Sequence, residues 1–192
     1  MAQVEKLAPH ILKWEGGFQN DPVDKGNYHK GVLIGTNKGV TPSTYLQAFG
    51  KVPTEQDMRN LTEEQFMHVL KLLYWNRWRA DEIESQPVAN ILVGWVWGSG
   101  KWGVIIPQRV LEVPDDGVVG NITLNAVNNS NPKELFERLK AAKRKYLQGI
   151  VDASISAYED RIGRKASQKE IMLYTKAKYL RGWLNRLYSY TY

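Results

Sequence analysis

The sequence predicts a mainly α fold: a helical bundle around one central buried helix, with a small loop or hairpin region near residues 26–40. Three observations carry this expectation. Apolar residues recur at helical spacing along much of the chain, as at Val4, Ala8 and Ile11 and again at Phe66, Val69, Leu70 and Leu73. The stretch from Gln86 to Gly100 is apolar nearly all round, which suits a helix enclosed by others. Gly26 to Gly39, in contrast, is rich in glycine, and Val32-Leu33-Ile34 within it suits a short strand.

Taken in order, Val4, Ala8, Ile11 and Glu15 fall on one helical stripe, so Glu15 stands where the next core residue is expected. Gly16 and Gly17 are expected to end that helix in the left-handed conformation open to glycine. A carboxyl group so placed is desolvated and lies beside the negative end of a helix dipole, a setting that suits a general acid. The plain alternative is a solvated helix end followed by an Asn-Asp-Pro turn. Thr41-Pro42 starts a helix that runs to Gly50. Thr62 and Gln65 form a capping box, and the helix they open ends near Trp75 to Trp78.

The central apolar helix follows. Gly98 to Gly103 fits a G-x-G-x-x-G pattern, but no alternating strands and helices surround it, so it reads as a helix terminus and turn. Pro107 to Leu111 leads through the turn residues Asp116, Gly117 and Gly120 into a helix that contains Thr123. Asn131-Pro132 opens a helix with Leu135, Phe136, Leu139, Ala142, Tyr146 and Leu147 inward; Lys140, Lys143, Arg144 and Lys145 are expected largely outside. Residues 1–86 are expected to form a catalytic region and 87–192 a helical C-terminal region, packed together as one unit.

Composition narrows the function classes. With 192 residues, 43% hydrophobic and 24% charged, the chain can bury a sizeable core and is not of disordered type. A net charge of +6 implies a polyanionic partner, and nucleic acid, anionic membrane and cell wall all qualify. There is no cysteine, hence no disulfide or thiol nucleophile. His10, His29 and His68 show no metal spacing, no Gly-x-Ser-x-Gly elbow occurs, and Asn20 to Gly26 lacks the ligands of a calcium loop. Chemistry without metal or cofactor is therefore expected, resting on carboxylates. The N-terminus lacks the apolar core of a signal peptide, so synthesis in the cytoplasm and action on a wall after release, through a separate holin or export factor, are expected.

Trp14-Glu15-Gly16-Gly17-Phe18-Gln19-Asn20-Asp21-Pro22-Val23-Asp24-Lys25-Gly26, with Thr36-Asn37-Lys38-Gly39-Val40-Thr41 after it, resembles the signature of the bacterial and phage N-acetylmuramidases of glycoside hydrolase family 108. Asn27 to Gly35 stands as an insertion against that signature. Leu180-Arg181-Gly182-Trp183-Leu184-Asn185-Arg186 resembles the family's closing segment, and residues 107–124 resemble small peptidoglycan-associated helical domains. The resemblance implies a lysozyme-like fold, peptidoglycan glycan strands as substrate, no nucleic acid, a monomer, and Glu15 as the essential acid. It offers Asp24, nine positions after Glu15, as the second carboxylate, with Asp21 as its rival, and Thr36 as a water-holding residue. Asp21, Tyr28, Asn37, Trp75 and Trp78 are substrate-contact candidates; the two tryptophans suit a core or surface anchor somewhat better. The family tends to carry an Asp where this chain has Gly94. A competing class is a non-enzymatic wall-binding or secretion-assisting protein on the same scaffold, which Gly94 and the insertion favour and the retained carboxylates oppose.

Overall fold

In the computed structural model, which describes residues 1–192, the first helix is α1 (Ala8–Leu12). It stops short of the expected end: Lys13 and Trp14 form a turn and Glu15 lies beyond it. Neither Gly16 nor Gly17 is left-handed. The backbone here pairs instead with a later segment. Lys38 N–H donates to Gly16 O at 3.1 Å, and Gln19 and Thr36 exchange two bonds of 2.8 Å. The glycine-capped helix expected at Glu15 is thereby corrected; the backbone groups are satisfied by a neighbouring strand-like stretch rather than by a cap.

The segment that interrupts the signature is a hairpin of β1 (Tyr28–His29) and β2 (Val32–Leu33), with Tyr28 opposite Leu33 and His29 opposite Val32. Lys30 and Gly31, at φ 46° and 83°, make the two-residue turn between them, the geometry favoured by the strands' twist. Next comes α2 (Pro42–Phe49), capped by Thr41 and closed by Gly50 at φ 71°. A short α3 (Glu55–Arg59), opened by a Thr54–Asp57 capping box, was not expected from the sequence. The Thr62–Gln65 box opens α4 (Glu63–Leu70), which continues as a π-turn over Lys71–Trp75 and a 3-10 turn over Asn76–Trp78. Each such N-cap contributes about 0.5–2 kcal/mol.

The central α5 (Gln86–Ser99) buries eight of its residues, from Val88 to Val96. Against it lies α6 (Trp102–Val110), so close that a Cβ on Gly103 would stand 2.4 Å from Val96 N. Beyond the turn come α7 (Asn121–Asn129), the 31-residue α8 (Pro132–Ile162), α9 (Gln168–Tyr174) and α10 (Ala177–Tyr188). The long α8 packs on α5 and α6, and α10 returns along α8. One cluster of 34 buried residues runs from Ala2 to Tyr190, so both ends of the chain share a core. Lys143 corrects the expected outer face of α8: it is only 8% exposed, turned inward beneath α10. No helix is long and apolar enough to cross a membrane.

Candidate active site

Glu15 sits at the meeting of three segments far apart in sequence. Its Oε1 accepts one bond from Trp97 Nε1 of α5 and another from Arg186 Nη1 of α10, each 2.7 Å. The pair with Arg186 is mostly shielded, the Arg186 and Glu15 side chains being 24% and 16% exposed. Oε2 receives no donor. It faces Gly39, whose backbone, at φ +74°, would place a Cβ only 2.6 Å from it. A side chain there would cover the one free oxygen, so the glycine keeps it open. The negative helix end expected around Glu15 is replaced by a direct ion pair.

The loop after Glu15 is tied by Gln19 and Asn27. Asn27, fully buried, donates to Gln19 Oε1 at 2.7 Å and to the Asp21 carbonyl at 3.0 Å. Gln19 Nε2 donates back to Asn27 Oδ1 and to Asp24 Oδ2, at 3.0 and 3.1 Å. Asp24 Oδ1 takes the Gly26 N–H, capping a 3-10 turn. Asp21 Oδ1 accepts from Val23 N–H in an Asx turn. Both carboxylates are exposed and neither has a cationic partner. Through the Gln19–Thr36 pairing this loop is fastened beside the Glu15 turn, and Thr36 Oγ1 is buried without a hydrogen-bond partner.

Comparison with known proteins bears on this arrangement. The glycosyl hydrolase 108 family matches residues 8–100, the segment from α1 to the end of α5. A second family, described as a predicted peptidoglycan domain, matches residues 102–188. Residues 8–100 belong to glycosyl hydrolase family 108. Comparison with curated proteins gives no match. Among solved structures it resembles the one titled "Structure of Brucella abortus SagA", with a TM-score of 0.71 and 24% identity over 97% of this chain and 90% of that one. The likeness supports the mainly α, lysozyme-like fold. The chain is a peptidoglycan hydrolase.

In the hydrolase the sequence-derived candidates separate. Asp21, Asp24 and Thr36 gather around the Gln19–Asn27 network, and Glu15 is held separately by Trp97 and Arg186. Tyr28 joins them from β1, its hydroxyl donating to the Pro22 carbonyl at 3.0 Å. Asn37 is buried and spends its amide on the Met58 and Arg59 carbonyls, which anchors the loop to α3 rather than offering a substrate contact. Trp75 and Trp78 are fully buried, their indole N–H groups held by Asp81 and the Gly103 carbonyl. They are core residues, so the stacking role considered for them is corrected: a ring with no exposed face cannot meet a sugar.

Three residues of the hydrolase's site were missed from the sequence. Trp97 looked like part of an apolar helix, although an indole at a helix end carries a donor that needs an acceptor. Tyr74, packed on Trp97 with ring centroids 4.6 Å apart, has its hydroxyl pushed above the ordinary tyrosine range, mainly by burial and also by the Glu15 charge. Arg186 lay in a segment noted only for its resemblance. Gly39→Ala in the hydrolase is expected to keep the chain folded while crowding Glu15 Oε2, with at least about a tenfold loss of activity, since misplacing a reacting group by about 1 Å costs up to 10²-fold. Wall-clearing rate against thermal midpoint is the measurement; a fully active variant would show that Oε2 needs no open approach.

Proposed function

We propose that the hydrolase is an N-acetylmuramidase, cutting the β-1,4 bond between N-acetylmuramic acid and N-acetylglucosamine with Glu15 as general acid. The observation that carries this reading is the asymmetry of the Glu15 carboxyl. One oxygen is clamped by Trp97 and Arg186, and the other is free and uncovered beside Gly39. In the protonated acid the proton sits on Oε2 and passes to the leaving glycosidic oxygen as the bond breaks. Charge then develops on Glu15, and the donors already fixed on Oε1 stabilise it without reorganising. Asp24 serves as the second carboxylate and Thr36 helps hold the attacking water; a buried hydroxyl without a partner supports such a role.

The C-terminal region, residues 87–192, binds wall and also supplies Arg186 to the acid, so both regions work as one unit. We further propose that the protein is made in the cytoplasm and acts once a separate factor releases it. Its basic surface, with Arg144 and Lys145 exposed on α8, serves encounter with the anionic wall.

The test is clearance of purified peptidoglycan with mass analysis of the fragments. Products ending in reducing N-acetylmuramic acid are expected. Reducing N-acetylglucosamine ends, or cleavage within the peptide, would exclude the muramidase reading. Raising salt through the screening range is expected to weaken binding to intact wall while altering cleavage of short oligosaccharides much less. Equal sensitivity of both would mean that salt acts at the site itself.

A further inference from the structure

Against Arg186, the partner of Glu15, and between α5, α8 and α10 lies a cavity of about 220 Å³. Gly94 and Gly98 form its floor and end, Lys143 and Tyr146 one wall, and Trp183 and Arg186 the other. Its chemistry is one-sided. Two cations line it, Lys143 and Arg186, and Arg186 Nη2 is buried with no carboxylate partner, beside the Tyr190 hydroxyl. Lys143 Nζ, enclosed between the Trp95 and Tyr190 rings at 5.7 and 5.5 Å, has one long bond of 3.4 Å to the Gly94 carbonyl and no carboxylate partner. Burial without an anion is costly for such groups, and their only nearby acid, Glu15, is already committed through Oε1.

Position 94 keeps the space open. A Cβ on Gly94 would lie 1.9 Å from the Tyr190 hydroxyl, so no larger residue fits without displacing it. With Glu15 ionised in its resting pair with Arg186, Lys143 is left as one surplus positive charge, which a single monoanion would balance. The required ligand has several acceptor oxygens and one negative charge. A carboxylate meets that description.

We propose that this cavity is a carboxylate-binding subsite, linked to Glu15 through Arg186, taking a carboxylate borne by a muramyl residue of the glycan strand. The proposal rests on the muramidase reading and adds what the site recognises next to the scissile bond. Arg186 joins the two: Nη1 holds the acid and the same side chain lines the cavity, so filling the cavity also fixes the Glu15 clamp. The carboxylate has two sources of the same chemistry, the lactyl ether of a muramyl residue stripped of its peptide and the free carboxyls of the stem peptide.

Protonation supports the geometry. Burial, and secondarily the Arg186 charge, lower Lys143 to about 7. The groups facing it are Arg186 and Tyr190 from α10 and the tail, His10 from α1, and Trp95 with the Gly94 carbonyl from α5. Burial and these cations lower His10 to about 4, so it stays neutral, and burial pushes Tyr190 up to about 12, so its hydroxyl remains a donor. Carboxylate binding should therefore weaken as pH rises past 7 and Lys143 loses its proton.

Calorimetric titration of the intact protein at pH 6 tests this with N-acetylmuramic acid, its methyl ester, and N-acetylmuramyl-L-alanyl-D-isoglutamine, in which the lactyl group is amidated but the peptide carboxyl is free. None contains the scissile bond, so the outcome is separate from whether that bond is cut. An acid is expected to bind about tenfold or more tighter than the ester, the usual scale of a charged hydrogen bond, and to lose that preference above pH 8 or in Lys143→Met. Preference for the free sugar acid assigns the lactyl carboxylate, and preference for the dipeptide assigns the stem. Ester and acids binding alike, no binding by any of them, or a preference unchanged in Lys143→Met overturns the proposal.

Discussion

Replacing Glu15 by Gln is expected to remove about 10²- to 10⁴-fold of the muramidase activity while leaving the fold in place, the usual scale for a lost general acid. The amide keeps an oxygen to accept from Trp97 and Arg186, so the clamp survives. Its NH₂ points toward Gly39, where no donor stands to be repelled. What is lost is the transferable proton and, as the bond breaks, the negative charge that Arg186 is placed to stabilise. The thermal midpoint should fall only modestly, because one partly exposed guanidinium is left facing a neutral oxygen. Initial rates on purified peptidoglycan, matched by circular dichroism, give the comparison. A Glu15→Gln variant clearing wall at the parent rate would take Glu15 out of the mechanism and move attention to the loop carboxylates.

Much of the scaffold could be read locally. Thr41-Pro42 with Gly50, and Thr62 with Gln65, bound their helices because cap chemistry is decided within four residues. The apolar run of α5 announced its own burial. The site was harder, since its decisive contacts join distant residues. Arg186 meets Glu15 across 171 positions, and nothing at either end marks the other. Lys143 looked like one member of a solvated basic face, since local charge pattern does not register that α10 lies over it. Gly16 and Gly17 suggested a left-handed cap, but the pairing of residues 16–19 with 36–38 offered the backbone better partners. Trp75 and Trp78 illustrate the opposite error: an aromatic pair suggests a sugar platform only if something leaves it uncovered, and here the core closes over both.

Asp24→Asn is expected to cost about 10²-fold or more of activity, whereas Asp21→Asn should stay within a few-fold of the parent. The loop's hydrogen bonds make the two substitutions chemically unequal. Asp21 uses one oxygen, for the Val23 N–H, so an Asn there keeps the turn intact. Asp24 uses both, one for Gly26 N–H and one for Gln19 Nε2. Gln19 cannot turn its amide over to suit an Asn, because its own oxygen already holds Asn27 and the Asp21 N–H. Loss of charge at Asp24 therefore comes with one mismatched bond, and thermal midpoints and hairpin chemical shifts must be compared before rates are. With the loop matched, the remaining difference reports on catalysis. If Asp24 activates water, the first product is inverted at the anomeric carbon, and the two carboxyl groups need about 6.5–9.5 Å between them; a covalent route with retention needs about 5–5.5 Å. The unpartnered Thr36 hydroxyl suits inversion, in which water attacks directly beside Asp24; in a covalent route water enters only in the second step, activated by Glu15 instead. Anomeric analysis of the nascent product by NMR decides. Retained configuration, or an Asp21 variant more impaired than its Asp24 counterpart at equal stability, would reverse the assignment.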